Sequence, residues 1–254
     1  MGSFINVLVF RLPIDQSIIF PGSQCPKCHT KILFFDNLPI LIWFFLRGKC
    51  RFCKKNISFA YPLVELITAL LVMANINAKP TIYDDLSEFG ILFAGIVLTS
   101  ILITLAALDF KYFWLPNFLT VGGTFLGIII SIIFDFSNDI FQFTCSIYSI
   151  SASLIGYLFF YFVSHIGLQI FKKPVMGGGD AKLSSLIGSW LGIKGLFISI
   201  WLAFQMAGLF VLIGLILRKI KRNQKVPFGV FLASSTLLVW YFGNDQIIRF
   251  IHFS

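Results

Sequence analysis

The sequence predicts an all-α polytopic membrane protein, and three observations support this. Of its 254 residues, 57% are hydrophobic and 12% are charged, about half the charged fraction of a soluble domain. The apolar runs lack strict alternation and are rich in Ile, Leu, Phe and Gly, which is typical of membrane helices rather than barrel strands. Five of these runs approach or exceed the roughly 20 residues that a spanning helix needs, at 89–108, 118–134, 143–168, 195–217 and 227–243.

The charge distribution predicts which side of the membrane each loop occupies. Four loops, at 11–60, 109–117, 171–183 and 218–225, hold 17 of the 20 Lys and Arg residues. By the positive-inside rule these loops are expected to face the cytosol. The same asymmetry accounts for the net charge of +9. A nucleic-acid surface is the competing interpretation of a basic chain, but here we expect no nucleic-acid partner.

Two basic loops on one side constrain the count of membrane segments. If the loops before and after the span at 195–217 are both cytosolic, the apolar stretch 184–193 must cross or dip into the membrane as a short or re-entrant helix. This predicts about eight segments. The first, at 1–10, is too short to cross alone, and we expect a partial helix whose beginning is truncated or lies upstream of Met1.

The predicted domain division follows from these segments. Residues 1–10 form the partial first membrane helix, residues 11–60 a cytosolic domain and residues 61–254 the membrane domain. Only the middle part is long and polar enough to fold outside the bilayer.

The cytosolic loop carries two C-x-x-C pairs, Cys25 with Cys28 and Cys50 with Cys53. Four thiolates at this spacing predict a tetrahedral structural Zn²⁺ site. Disulfides are disfavoured in a reducing cytosol. The stretch "CPKCH" also matches c-type haem attachment with His29 as the axial ligand, although the second pair argues against it. Iron–sulfur ligation stays open, because spacing alone does not separate it from zinc.

Carboxylates beside the apolar runs are the candidate functional residues. Asp109 directly follows the run 89–108, Asp180 lies at the cytosolic start of the segment 181–193, and Glu65 lies near the cytosolic start of another span. An ionised side chain at the centre of a membrane helix costs roughly 2.5–3.5 kcal/mol, so such residues suggest function. The topology brings Asp109 and Asp180 to one membrane face.

Two carboxylates that share a water molecule can hydrolyse a peptide bond. The ionised carboxylate takes a proton from water while the neutral one donates a proton to the carbonyl oxygen. The glycines 177–179 would let an extended peptide approach Asp180 closely. On the residues alone, two other interpretations remain: Asp180 as a helix cap, and Asp109 as a solvated helix end paired with Lys111.

Two further classes of function are compatible with the residues. A transporter or channel would bind a cation with the in-span carboxylates, but no internal repeat supports it. A non-catalytic assembly protein would use the cysteine loop as a docking module and would tolerate loss of both aspartates.

An ordered set of motifs resembles the bacterial type IV prepilin peptidases. The G-x-G-D signature of that family is present, ending at Asp180, and the other motifs occur in order over nearly the whole chain. They are "GSFINVLVFRLP" at 2–13, the two cysteine pairs, "YPLVELITALL" at 61–71, "LDFKYFWLPNFLT" at 108–120, "MGGGDAKL" at 176–183 and "PFGVFLA" at 227–233.

The resemblance implies a function and a set of site residues. Asp109 and Asp180 match the two catalytic aspartates, and Gly177, Gly179 and Lys182 match the surrounding motif. The four cysteines match those of the bifunctional members. Such enzymes of the inner membrane cut the basic leader from type IV prepilins and pseudopilins at the cytosolic face. They then methylate the new amino terminus with S-adenosylmethionine.

Three departures from the family pattern affect what is expected. Asn117 stands where relatives often carry Asp, so a purely acidic role is not expected there. Relatives have a longer first helix. No glycine-rich cofactor loop is visible, so the resemblance implies methyl transfer without naming its residues. Glu65 is a candidate for orienting the dyad or contacting the leader, and the alternative is a helix-start residue at the membrane interface.

Overall fold

The computed structural model is helical almost throughout. It describes residues 1–20, 22, 24, 25, 28, 30, 31, 41–78, 80, 88–137, 144–172, 176–219 and 224–252; His29 lies outside these. Within these ranges the extended pairing is limited to two isolated bridges. The helices are α1 Gly2–Arg11, α2 Leu41–Phe45, α3 Ala60–Ala74, α4 Glu88–Tyr112, α5 Asn117–Ser137, α6 Thr144–Phe171, α7 Gly178–Ile216, α8 Phe228–Phe242 and α9 Asn244–His252.

Five helices of the described part are long and apolar enough to cross a membrane. They are Ala60–Asn77, Phe89–Tyr112, Asn117–Phe136, Thr144–Ile170 and Gly178–Ile216, and the shorter apolar helices Gly2–Ile14 and Phe228–Phe242 accompany them. The all-α membrane class is therefore confirmed. The count of about eight segments stays a prediction.

The chain divides into two compact units, Met1–Ala74 and Asn75–Ser254. In the first unit α1 packs against α3. The side-chain amide of Asn6 donates to the carbonyl of Tyr61 at 3.1 Å, and Gly2 lies so close to Glu65 that a Cβ would come within 2.7 Å of its Cα. The three-part domain division stays a prediction.

Several hydroxyl side chains of the apolar helices donate to carbonyls of their own helix. The Thr104 hydroxyl donates to the carbonyl of Ser100 at 2.7 Å, and Thr236 donates to Leu232 at 2.6 Å. Because lipid offers no partner for a polar group, each O–H must find an acceptor within the protein. These bonds let polar residues lie in the membrane at little cost.

Helices α4 and α8 run antiparallel in the second unit and are connected at two levels. Near one end, Asn75 links the two helices: its side-chain amide donates to Thr99 Oγ1 of α4 at 3.1 Å, and its Oδ1 accepts from the Trp240 indole of α8 at 3.0 Å. The hydroxyls of Thr99 and Tyr241 are also 3.0 Å apart. Ten residues further along α4, roughly 15 Å at 1.5 Å per residue, lies Asp109. The network therefore fixes how the start of α8 meets that aspartate.

Helix α7 is interrupted at Gly192, where φ is 64° and ψ is −172°. Glycine adopts this conformation readily because glycine has no Cβ atom. The break lies close to the boundary expected between the short segment 184–193 and the span 195–217. Before it, α7 is almost wholly buried; after it, aromatic residues such as Phe197 and Trp201 are exposed.

Small residues bring the buried part of α7 against α6. A Cβ at Gly156 would lie 2.7 Å from the carbonyl oxygen of Ser184, and one at Gly188 would overlap the backbone of Ala152. The Ser184 hydroxyl donates to the carbonyl of Gly156 at 2.6 Å. Close backbone approach through small residues is how membrane helices pack without a hydrophobic driving force. This contact fixes the beginning of α7.

Candidate active site

Asp109 lies in the last turn of α4 and is buried. Its Oδ2 accepts a hydrogen bond from the backbone N–H of Val230 at 3.2 Å. Val230 belongs to the first turn of α8, whose N-cap residue, Pro227, makes no side-chain capping bond. The first N–H groups of a helix have no partner within it and carry partial positive charge. Asp109 thus supplies the missing cap, and α8 fixes the orientation of the carboxylate.

Gly229 makes this approach possible. A Cβ at that position would lie 2.8 Å from Oδ2 of Asp109, so no larger residue fits while the carboxylate stays in place. In the sequence, "PFGVFLA" supported only the family resemblance, and its contact with Asp109 was not foreseen. The available signal was a proline and a glycine at the start of a predicted membrane helix.

Asp180 is the third residue of α7 and is likewise buried. Its Oδ2 accepts the backbone N–H of Gly177 at 3.3 Å, and its own N–H donates to the carbonyl of Gly177 at 3.1 Å. The aspartate therefore does contribute to capping, as one interpretation of the sequence held, but from within the first turn.

The structure brings Asp109 and Asp180 together in the second unit. The charge of Asp109 acts on the carboxyl of Asp180, and burial strengthens any interaction between charges because the surrounding dielectric is low. Two carboxyl groups within reach of each other's charge are the arrangement that acid–base hydrolysis of a peptide uses.

The glycines before Asp180 leave space on one side of the pair. A Cβ at Gly178 would meet nothing within 4 Å, whereas one at Gly179 would lie 3.1 Å from Leu115. One glycine thus faces open space and the other packs against the turn between α4 and α5. The open side is where a peptide backbone can approach the aspartates.

Lys182 links the start of α7 to the start of α5. Its Nζ donates to Oδ1 of Asn117 at 2.6 Å. Asn117, which stands where relatives often carry Asp, is therefore a neutral hydrogen-bond acceptor for Lys182. The bond holds together the two chain segments that flank the aspartates.

Glu65, the third predicted carboxylate, lies in the first unit. It is part of α3 and packs against Gly2 of α1. Its supporting role near the dyad stays a prediction.

The four cysteines of the first unit form a cluster. One sulfur from each of Cys25, Cys28, Cys50 and Cys53 lies within 4.8 Å of all the others. The Sγ atoms of Cys25 and Cys53 are 3.9 Å apart. A tetrahedral zinc ion with Zn–S bonds of about 2.3 Å separates its sulfurs by about 3.8 Å. The donor set therefore fits the predicted metal in chemistry and spacing.

The two cysteine pairs are built alike. The N–H of Cys25 donates to the carbonyl of Thr30, and the N–H of Cys50 donates to the carbonyl of Lys55, both at 3.0 Å. Hydrogen bonds from the hydroxyl and the backbone of Thr30 lower the pKa of the Cys28 thiol to about 6, whereas desolvation and the neighbouring thiols raise the pKa of Cys53 to about 11. A thiolate at neutral pH is the form that binds metal.

Comparison with known proteins gives the family. The model of the Bacterial Peptidase A24 N-terminal domain matches residues 1–78, and that of the Type IV leader peptidase family matches residues 96–213. The chain is also 32% identical to the prepilin leader peptidase/N-methyltransferase of Aeromonas hydrophila, over 98% of this chain and 89% of the relative. The chain belongs to the type IV leader peptidase family.

Other relatives carry the same name. That of Xanthomonas campestris pv. campestris is 28% identical, with 100% of this chain and 92% of the relative covered. That of Myxococcus xanthus is 35% identical over 77% of this chain, which spans 54% of the longer relative. No solved structure matches the chain significantly.

Membership in the type IV leader peptidase family favours the peptidase interpretation over a transporter or an assembly protein. Asp109 and Asp180 lie inside the segment that matches the leader peptidase model, and all four cysteines lie inside the N-terminal match. Gly229 and Val230 fall beyond both matched segments. The contact of α8 with Asp109 is therefore seen in the structure and not in the two family matches.

Proposed function

We propose that this protein removes the leader peptide from type IV prepilins or pseudopilins with Asp109 and Asp180 as its catalytic pair. One observation carries the assignment to these residues. In a chain of the leader peptidase family, both aspartates are buried, interact electrostatically and accept N–H groups from the beginnings of two apolar helices.

The proposed reaction is hydrolysis through a bound water molecule. The ionised carboxylate removes a proton from the water, and the water oxygen attacks the scissile carbonyl carbon. The protonated carboxyl group donates its proton to the carbonyl oxygen. When the tetrahedral intermediate collapses, the C–N bond breaks and the leaving nitrogen takes up a proton from the pair. The N–H groups of Val230 and Gly177 hold the two carboxylates in place through the cycle, so little reorganisation is required.

The glycines around the pair determine where the substrate lies. An extended peptide that enters over Gly178 meets no side chain, so its scissile carbonyl can reach both carboxyl groups. The apolar helix that follows the cleavage site would then pack along the spans. We propose that this face of the protein, with the cysteine cluster, is cytosolic and that the protein resides in the inner membrane, as the basic loops favour.

Two further groups belong to this proposal. Cys25, Cys28, Cys50 and Cys53 would hold one zinc ion, whose role is to fix the fold of their loop. S-adenosylmethionine, when bound, would supply a methyl group to the amino terminus that cleavage exposes. No residue of the chain is assigned to that second reaction.

The test is intact mass spectrometry of a type IV prepilin co-expressed with the protein. We expect wild type to remove the leader and to add the mass of one methyl group, and Asp109→Asn and Asp180→Asn each to leave the prepilin uncut. Asp135→Asn is the matched control. This aspartate is also buried in a span, but it caps α6 through the N–H groups of Cys145 and Ser146.

Comparing the variants distinguishes loss of a catalytic group from loss of fold stability. Full cleavage by both Asn variants, inserted in the membrane at wild-type amounts, would refute the assignment. Loss of cleavage in the control as well would show only that buried carboxylates stabilise the fold.

A further inference from the structure

The second cysteine pair lies in a segment that is both basic and aromatic. We call residues 46–59 the basic knuckle. It has no acidic residue and holds five exposed cations: Arg47, Lys49, Arg51, Lys54 and Lys55. Its aromatic side chains are also exposed, Phe52 by 55% and Phe59 by 59%, and in the adjoining α2 Phe45 is exposed by 84%. Nearby cations also stabilise a doubly negative centre of zinc and four thiolates, but zinc binding does not account for the exposed rings.

The basic part of the knuckle is fixed next to the start of a membrane span. The N–H of Ile57 donates to the carbonyl of Gly48 at 2.7 Å, and Lys49 pairs with Asn56 in an isolated bridge. The candidate span Ala60–Asn77 begins three residues after Ile57, a distance of at most roughly 10 Å. The residues that flank Gly48 are therefore held close to the membrane surface.

The aromatic part is fixed at the same end of the span. The ring of Trp43 in α2 meets Phe59 edge-on, with 5.5 Å between ring centroids, and its indole N–H donates to the carbonyl of Ile57 at 3.4 Å. Phe59 immediately precedes the span. The exposed rings of α2 and the knuckle therefore gather where the chain enters the bilayer, which is the level that aromatic side chains prefer.

We propose that the basic knuckle binds anionic phospholipid headgroups. Clusters of four to eight Lys and Arg beside a membrane helix are attracted to anionic lipid within a Debye length, about 8 Å at physiological ionic strength. Here the backbone pairing holds the cations around Gly48 only a few residues from the start of the span, with the exposed Phe rings beside them. The lipid contact positions the cysteine loop on the membrane, and it does not depend on the peptidase activity.

Nucleic acid is the other polyanion that a basic and aromatic surface can bind. It is disfavoured here because the cations lie beside the bilayer, whose own phosphates repel a second polyanion. A bilayer, by contrast, already lies against this surface and supplies partners for both the cations and the rings.

The test is hydrogen exchange of the full-length protein in lipid nanodiscs, followed by mass spectrometry of the peptide that covers residues 46–59. We expect these amides to exchange about threefold more slowly in phosphatidylcholine with about 30% phosphatidylglycerol than in phosphatidylcholine alone. The difference should vanish at about 0.5 M salt, where charges are screened within a few ångströms.

Two variants with equal loss of charge assign the effect to the knuckle. The knuckle variant carries Lys49→Gln, Arg51→Gln, Lys54→Gln and Lys55→Gln. In this variant the exchange rate of residues 46–59 should no longer depend on phosphatidylglycerol. The second variant should retain this dependence, because it removes exposed cations elsewhere: Lys172→Gln, Lys194→Gln, Arg218→Gln and Lys219→Gln.

Three results would overturn the proposal. The first is equal exchange of the wild-type peptide in both bilayers, which needs no variant to interpret. The second is a lipid effect that persists in the knuckle variant. The third is stronger protection by DNA added to neutral nanodiscs than by phosphatidylglycerol, which would make nucleic acid the ligand.

Discussion

Substituting alanine for Gly229 tests how the first turn of α8 positions Asp109. The new methyl group would lie 2.8 Å from Oδ2 and 3.0 Å from Cγ of the aspartate, whereas ordinary contact begins at 3.4 Å. Either the carboxylate or the helix must therefore move by about 0.6 Å. A displacement of about 1 Å at a reacting group costs about 100-fold in rate. We expect Gly229→Ala to lower the turnover of prepilin cleavage by about 10- to 100-fold.

The assay is cleavage of a purified prepilin by the enzyme in detergent, with kcat and KM measured separately. Because the change acts on the catalytic group rather than on the open side of the glycines, we expect kcat to fall and KM to change little. Gly208→Ala is the matched control, since a Cβ there meets nothing within 4 Å; it should retain wild-type kcat. Wild-type kcat in Gly229→Ala would refute the view that α8 fixes Asp109.

Three further predictions concern the rest of the fold. Cys25→Ser should reduce zinc from about one ion per chain to nearly none by elemental analysis, and a full complement would contradict the proposed ligand set. Asn117→Asp should raise the melting temperature slightly, because the new ion pair with Lys182 is worth about 0–1 kcal/mol at an exposed site; a lower melting temperature would count against the observed contact. Gly188→Ala should destabilise the protein by at least about 1–3 kcal/mol, since its Cβ overlaps the backbone of Ala152, and an unchanged melting temperature would argue against that packing.

The candidate aspartates and the cysteine cluster could be predicted because their chemistry is local. Asp109 and Asp180 stand out as carboxylates at the ends of apolar runs, where an ionised group is costly. The cysteine pairs stand out through their spacing, which suits one tetrahedral ion. In both cases a residue type in an unusual setting points to function.

The contact between Val230 and Asp109 could not be predicted, because it joins residues that are 121 positions apart. A helix start that uses another helix's carboxylate as its cap has no local pattern, since the N-cap residue, Pro227, carries no side-chain acceptor. The packing of Gly188 on Ala152 was missed for the same reason: a glycine in an apolar run does not reveal which backbone it lies against.

The break at Gly192 has a mechanical consequence for a protein that works at a membrane surface. A helix that faces lipid changes its tilt when the bilayer becomes thicker or thinner. The exposed rings of Phe197 and Trp201 belong to the part of α7 beyond the break. The part before it is enclosed by protein and carries Asp180. Because the regular helix is broken between the two parts, a tilt of the outer part need not be passed on to the inner part, and the spacing of the aspartates is expected to be the same in membranes of different thickness.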